Sequence, residues 1–445
     1  LVRIFMSSKN SPVSPAVTTS TFASLGLRSE LIKTLDVQGI TSPFPIQEAT
    51  IPDAIAGFDI LGRGQTGSGK TLAFGLALLN NIFGKSAKAN QPLALVLAPT
   101  RELAQQIDDV LKPLAKAIGH STVVIAGGVP YGKQINALSR GVSILVATPG
   151  RLNDLIEKKE VRLDALLITV LDEADHMADM GFLPAVKKIL DKTRKGGQRL
   201  LFSATLDRGV DSLVRQYLKD PKSHTVKEPE AEESTMDHYV FVMKPTDKAS
   251  ITSQIASRDG KTILFVRTQH GADRLAANLA KAGVVAGSLH GGKSQAVRNK
   301  TLARFKEEDS AVLVATDVAA RGIHVDGIDL VVHFDPPADH KDYLHRSGRT
   351  ARAGQIGRVV TLATHKEQRT IGGITLRAGV EPWVMGISPM DEKLVKITGA
   401  KEPSGIPYIE KVEKSEKIQQ GSGRRKSAPS SKPRRGRTRS RNRYA

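Results

Sequence analysis

Leu171-Asp172-Glu173-Ala174-Asp175 ends the apolar run Ala165–Leu171 and sets three carboxylates within four residues. A short hydrophobic run that stops in acids reads as a buried strand delivering charge to its C-terminal mouth. Burial at such a mouth raises a carboxyl pKa unless a cation answers it. Taken alone, the stretch reads equally well as a solvated turn after a core strand. A second stretch upstream, Gly64-Gln65-Thr66-Gly67-Ser68-Gly69-Lys70-Thr71, decides between the two.

That stretch follows the strand-like Ile60-Leu61-Gly62-Arg63 and opens an apolar helical segment running through Leu79. Glycines at this spacing let backbone N–H groups curl around a phosphate at a helix N-terminus, where the macrodipole favours anions. Lys70 then reaches the β- and γ-phosphates, and Thr71 offers its hydroxyl to Mg²⁺. With a phosphate cradle present, Asp172 becomes a magnesium ligand, direct or through water. Glu173 becomes the group that orients and deprotonates an attacking water.

Outward from these two stretches the chain alternates strands and helices. Apolar runs recur at Leu93–Ala98, Thr122–Ala126, Ser143–Ala147 and Arg199–Phe202, separated by helical stretches such as Glu102–Lys116 and Pro184–Lys192. The alternation restarts at Thr262–Val266, Val284–Leu289, Ala311–Ala315, Asp329–His333 and Arg358–Leu362, without a second phosphate loop. Alternation of this kind predicts two α/β domains, each a mostly parallel sheet flanked by helices, with a nucleotide at their interface. The expected boundaries are 1–20 disordered, 21–228 first domain, 229–236 linker, 237–400 second domain and 401–445 a flexible basic tail. A helix is expected from Phe22 to Gly39, and the segment Glu367–Val380 is expected to close the second domain.

Composition bounds the rest. The chain has 445 residues, no cysteine and a formal net charge of +20. Without cysteine there are no disulfides, thiolate metal sites or cysteine nucleophiles, which is compatible with a reducing cytoplasm. No apolar run approaches transmembrane length, and the first residues lack the order of a secretory signal. Met6 reads as a more natural start than Leu1. From Gly421 to Ala445 there are ten Lys and Arg and no acid, so half the excess charge lies in this run. Such a run attracts polyanions by counterion release without reading sequence. A solvated terminus is the plainer alternative.

The first domain lacks a cation for charge developing on a γ-phosphate. The second offers His345-Arg346-Ser347-Gly348-Arg349-Thr350-Ala351-Arg352, in which Arg349 and Arg352, three apart, would share one side of a helix. A solvated basic face is the competing reading of that run.

At this point the chain resembles the DEAD-box family of ATP-dependent RNA helicases, in its compact bacterial form, with matching motifs in order from about Phe22 to Ala400. The resemblance implies two tandem RecA-like domains that bind ATP and Mg²⁺. Gly39-Ile40-Thr41-Ser42-Pro43-Phe44-Pro45-Ile46-Gln47 resembles the family's adenine-reading motif, with Gln47 pairing with the base and Phe22 stacking on it. Implied RNA contacts are Pro99, Thr100 and Arg101; Gly127 and Gly128; Thr148, Gly150 and Arg151; and, in the second domain, Gln295, Arg298 and Thr316. Asp317 is implied to hold the ribose, and Arg349 and Arg352 the γ-phosphate. Asp175, Ser203, Thr205 and His345 are implied to couple hydrolysis to strand separation. Three residues depart from the family pattern: Phe44 for a threonine, His324 for an aspartate and Ala351 for a glycine.

The resemblance therefore implies RNA-stimulated ATP hydrolysis coupled to local, non-processive unwinding of short RNA duplexes, in ribosome assembly or RNA turnover. Single-stranded and short duplex RNA would bind with little sequence preference, and no membrane partner is expected. A DNA-directed translocase and a noncatalytic RNA-binding scaffold are the alternatives. Phe22, Gln47 and Asp175 speak against the first, and Lys70, Glu173, Arg349 and Arg352 against the second.

Overall fold

The computed structural model describes residues 20–64, 67–205, 208–226, 236–320, 325, 327–351 and 356–408. The expected N-terminal disorder up to residue 19, most of the linker and residues 409–445 of the tail lie outside the described residues, as do Gln65, Thr66, His324 and Arg352.

The apolar runs form two seven-stranded sheets. The first contains β1 (Ile60–Arg63), β2 (Ala94–Leu97), β3 (Thr122–Ile125), β4 (Ile144–Ala147), β5 (Ile168–Leu171), β6 (Gln198–Ser203) and β7 (Lys222–Thr225). The second contains β8 (Met236–Met243), β9 (Lys261–Phe265), β10 (Ala286–Leu289), β11 (Val312–Ala315), β12 (Ile328–His333), β13 (Gly357–Thr364) and β14 (Trp383–Gly386). Their orders are β3-β4-β2-β5-β6-β1-β7 and β10-β11-β9-β12-β13-β8-β14, and every ladder is parallel. Offset by seven, the two orders are the same, so the repeat expected from alternation is a repeat of winding. These are tandem RecA-like domains. Parallel strands covered by helices on both faces need no polar face, which is why β2, β4 and β5 are buried along their whole length. Separate apolar clusters fill the two faces of each sheet.

Several local expectations are corrected. The first helix spans Ser29–Val37 and not Phe22 onward, because the residues before it form turns that fold Phe22, Leu25 and Leu27 into the core. Met236 and Asp237, placed in or next to the linker from sequence, already belong to β8, which pairs with β13 over eight residues. The second domain does not close at Val380: the edge strand β14 and helix Glu392–Thr398 follow. Among the described residues, no helix is long and apolar enough to cross a membrane.

The winding positions the site. Ligands of such sheets gather outside the C-terminal strand ends. Because β6 lies between β5 and β1, the acids after Leu171 and the loop after Arg63 flank Ser203 at the end of β6. In the second domain, helix His340–Ser347 is held from below by a buried aromatic cluster. The Tyr343 hydroxyl and His238 Nδ1 share a hydrogen bond of 2.8 Å, and the His333 ring meets Tyr343 edge-on at 5.0 Å.

Burial pushes His238 down from 6.5 to about 4, against the pull of Asp237, and pushes His333 well below its ordinary range. An unfolded chain therefore takes up a proton on His238 near pH 6.5, whereas the folded chain resists until about pH 4. The stability this contributes is complete above the upper value and is lost as pH falls through the window, by about 3 kcal/mol for this group. Urea midpoints should fall more steeply over this window for the parent than for His238→Gln. Equal slopes would contradict the buried neutral imidazole.

Candidate nucleotide site and nucleic-acid interface

Seven residues from both domains line one cavity: Lys70, Glu173, Asp175, His176, Ala204, His345 and Arg349. Lys70 opens helix Lys70–Ile82 directly after Gly69, whose φ of +86° places it in the left-handed region. A side chain on Gly69 would run into the Gln47 amide and the Phe44 ring, so this position requires glycine. The Lys70 ammonium donates to the Gly64 carbonyl at 2.8 Å, closing the loop on itself.

The acids at the end of β5 have distinct environments. Asp172 is buried, accepts from the Glu173 amide at 3.0 Å, and is pushed up to about 7 by burial, with Lys70 opposing. Burial likewise pushes Glu173 up. The hydrogen bond from His176 and the positive groups around it, Arg349 and Lys70 among them, more than reverse that, so its carboxyl lies well below the ordinary range. Glu173 itself sits at φ 49°, ψ 52°, a left-handed conformation rare for any residue but glycine and costing about 1–3 kcal/mol. That strain turns its carboxylate into the cavity. Asp175 faces the end of β6: its Oδ2 accepts from both the amide and the hydroxyl of Thr205 at 2.9 Å, and its own amide donates to Ser203 Oγ at 3.3 Å.

The donor set fits magnesium. Such an ion needs only one or two protein oxygens beside phosphates and water. Asp172, a buried carboxylate whose burial is not fully offset by Lys70, is where such a dication is favoured. Thr71 stands next to Lys70 at the same helix start.

The residues expected to read adenine, Gln47 and Phe22, are both buried. Gln47 is 0% exposed; its Oε1 accepts from the Phe44 amide at 2.9 Å, and its Nε2 donates to the Gly69 carbonyl at 3.0 Å. One amide hydrogen and the further lone pair of Oε1 are left for a base. The Phe44 ring, 53% exposed, packs against Gly69 in the place where the family pattern has a hydroxyl. Phe22 is 3% exposed within the apolar cluster and presents no open ring face. Asp317 is paired through both oxygens with Arg346, at 2.5 and 2.8 Å, and Arg346 also donates to the Asp335 carbonyl.

Arg349 does not lie on a helix, as its spacing from Arg352 implied. Helix His340–Ser347 ends at Gly348, and Arg349 follows in a turn where its Nε donates back to the His345 carbonyl at 3.2 Å. Ala351, the departure from glycine, stands at φ 54° in the same turn, a conformation costing an L-residue about 1–2 kcal/mol.

The remaining motif residues collect along the C-terminal edges of the two sheets. Thr100 caps helix Arg101–Ala117 after β2, Gly127 and Gly128 follow β3, and Thr148 stands at the N-cap position of the helix after β4 without a side-chain cap bond. Gly128 stands at φ +78°, where any side chain is strained, and the Arg101 guanidinium fills the space beside it. Across the domains, Arg101 Nη1 donates to Gln295 Oε1 at 3.2 Å, Gln295 Nε2 donates to Glu102 Oε1, and Arg298 pairs with Glu102 Oε2, both at 2.9 Å. Thr316 follows β11 and is buried. Arg151 donates to the Val129 carbonyl at 2.8 Å and lies over the Tyr131 ring at 4.0 Å.

Sequence reading missed four of these residues. Glu102 is the acid that joins the two domains, and its one signal was adjacency to Arg101. Arg346, His176 and Tyr131 become partners only through tertiary contact.

The family model for DEAD/DEAH box helicases matches residues 44–213, and that for the helicase conserved C-terminal domain matches residues 247–354. The chain belongs to the DEAD-box helicase family.

Among DEAD-box relatives, the maize "DEAD-box ATP-dependent RNA helicase 3B, chloroplastic" is 40% identical over 367 residues, covering 80% of this chain and 49% of the relative. The Arabidopsis thaliana "DEAD-box ATP-dependent RNA helicase 9, mitochondrial" is 38% identical over 367 residues, covering 80% and 59%. The chain thus spans about half of the first relative's length and about three-fifths of the second's. The structure of S. cerevisiae Dbp5 bound to RNA and ADP BeF3 superposes with a TM-score of 0.75 at 29% identity, covering 85% of this chain and 99% of that one.

Proposed function

We propose that this DEAD-box chain is an ATP-dependent RNA helicase, hydrolysing ATP in the interdomain cavity and separating short RNA duplexes locally and without processive movement. The observation that carries the proposal is that Lys70 and Glu173 of the first domain and Arg349 of the second line one cavity. Residues 21–228 and 237–400 are the two working domains in this reading.

The chemistry asked of the protein is mostly positioning and charge neutralisation. The phosphate loop, from Gly64 through Gln65, Thr66, Gly67, Ser68 and Gly69, would wrap the phosphates, with Lys70 on their outer oxygens. Glu173 would orient the water and draw on its proton, while Arg349, with Arg352, would neutralise charge on the transferred phosphoryl group. Thr71 and Asp172 would hold Mg²⁺, which supplies further neutralisation of phosphate oxygens. Gln47 would read adenine with its remaining donor and acceptor. Stacking on Phe22 would require its apolar cover to shift, and ribose binding at Asp317 would share that carboxylate with Arg346.

RNA would run along the residues at the sheet edges: Pro99, Thr100, Arg101, Gly127, Gly128, Thr148, Gly150 and Arg151, then Gln295, Arg298 and Thr316. These offer hydroxyls, guanidiniums and backbone N–H groups, which grip phosphate and ribose without reading bases. Arg101 and Gln295 already join the domains next to the Glu102–Arg298 pair, so RNA bound there would favour the arrangement that assembles the ATP cavity. Asp175, Ser203, Thr205 and His345 would carry the coupling. The basic run after 420 would add affinity that does not depend on sequence, visible as a steep salt dependence. Ribosome assembly or RNA turnover in the cytoplasm is the setting we propose. Relatives named for chloroplast and mitochondrion share this core, so the compartment is the part to establish by localisation in cells.

The test is strand displacement. A short RNA duplex with a single-stranded extension should be separated with ATP and not with ADP, whereas a long duplex should persist. Separation without nucleotide, or equal separation of long duplexes, would contradict the proposal.

A further inference from the structure

Helix Pro149–Glu157 follows Thr148 directly, and its chain carries Arg151, Asp154 and Lys158 at positions i, i+3 and i+7, with Lys158 at the C-cap. That spacing puts all three on one face of the helix. Helix Tyr131–Ser139 starts shortly after Gly128 and sets the Tyr131 ring against this face. The Arg151 guanidinium carbon lies 4.0 Å from the ring centroid, and the Lys158 ammonium lies 3.9 Å from it. The Tyr131 hydroxyl donates to Asp154 Oδ2 at 2.9 Å. One ring and one carboxylate thus hold two cations, a surplus of positive charge beside Gly127, Gly128 and Thr148.

A planar guanidinium is attracted to an aromatic face and stacks on it. Here the ring sets the height and tilt of the Arg151 guanidinium. The Val129 carbonyl, accepting from Nη1 at 2.8 Å, sets its rotation within that plane. The side chain is 11% exposed, so it is a held group and not a swinging surface charge. Its Nε stands 4.0 Å from Asp154 Oδ2, beyond hydrogen-bond length. Of the five N–H donors of a guanidinium, the Val129 carbonyl occupies one. The partner that suits a fixed plane of remaining donors is a phosphate, which takes them two at a time.

We propose that Tyr131 is a positioning residue of the RNA grip, holding Arg151 in the plane from which it donates to a backbone phosphate. The inference rests on the RNA track proposed above and adds to that track a residue that acts through Arg151. Without the ring, the guanidinium would sample several rotamers, and ordering it would weaken RNA binding. The chemistry of ATP hydrolysis lies elsewhere, so the loss falls on RNA affinity and not on turnover.

The experiment is RNA-stimulated ATPase of the full chain, titrated with single-stranded RNA at several salt concentrations. The variants are Tyr131→Leu, Tyr131→Phe, Arg151→Met and the double variant Tyr131→Leu/Arg151→Met. Tyr131→Leu should raise the RNA concentration for half-maximal ATPase about tenfold, with turnover at saturating RNA near that of the parent. Tyr131→Phe, which keeps the ring, should recover most of this loss. Arg151→Met should also flatten the logarithmic salt dependence by about one unit, as expected on losing one phosphate contact. In the Arg151→Met background, Tyr131→Leu should add little, because the two residues act as one.

RNA half-saturation of Tyr131→Leu equal to that of the parent would overturn the assignment and leave the RNA reading standing. So would an undiminished effect of Tyr131→Leu in the Arg151→Met background. A parent whose ATPase RNA does not stimulate would overturn the RNA reading and this assignment with it. If Tyr131→Leu fails to fold, judged by its thermal melt, Arg151→Met decides. Half-saturation and salt slope equal to those of the parent overturn the assignment, since Tyr131 then has no RNA contact to hold.

Discussion

Arg349→Ala is expected to lower the rate of ATP turnover by about a thousandfold or more while leaving ATP affinity close to that of the parent. Arg349 is the fixed cation that the second domain brings to the cavity holding Lys70 and Glu173. Its guanidinium is nearly buried and is tied by Nε to the His345 carbonyl at 3.2 Å, so it does not swing in from solvent. Charge on the phosphoryl oxygens grows toward the transition state, so a cation already aimed there acts on kcat more than on KM. The measurement is steady-state ATPase beside equilibrium binding of a nonhydrolysable ATP analogue. Loss of binding in step with turnover would mean that Arg349 merely holds the nucleotide.

The second large effect is expected from Glu173→Gln, which should cut turnover by about a hundredfold to ten-thousandfold. Glutamine keeps the size of the side chain and leaves the left-handed turn at residue 173 as it is. It removes the charge that orients water and that accepts from His176 Nδ1. Turnover equal to that of the parent would remove Glu173 from the water-activating role. Structural damage is separable from chemistry here, because an unchanged thermal midpoint with lost turnover is what an intact fold with a disabled carboxylate gives.

The parts of this site that were legible in sequence are those whose chemistry is local. Glycine spacing before Lys70 and acids after Leu171 each declare a strand end and its ligand without reference to anything distant. The contact of Asp175 with Ser203 and Thr205 was also expected, and it follows from β6 lying beside β5. What sequence could not carry was the pairing of side chains across domains. The Glu102–Arg298 bridge and the Arg346–Asp317 pair join residues far apart in the chain, and each partner alone looks like an ordinary surface charge. The helical spacing of Arg349 and Arg352 misled for a local reason, since Gly348 ends the helix before the first of them. Phe22 is buried because its turn packs into the core, where an aromatic ring gains by leaving water.

In the proposed mechanism one ATP site is built from both domains and is assembled by RNA through the contacts of Arg101, Gln295 and Arg298. The most direct test is the rate of ATP hydrolysis by the full chain with single-stranded RNA, with single-stranded DNA of the same sequence, and with neither. Strong stimulation by RNA and little by DNA is the expected result. Equal rates in all three, or DNA stimulating as well as RNA, would contradict it.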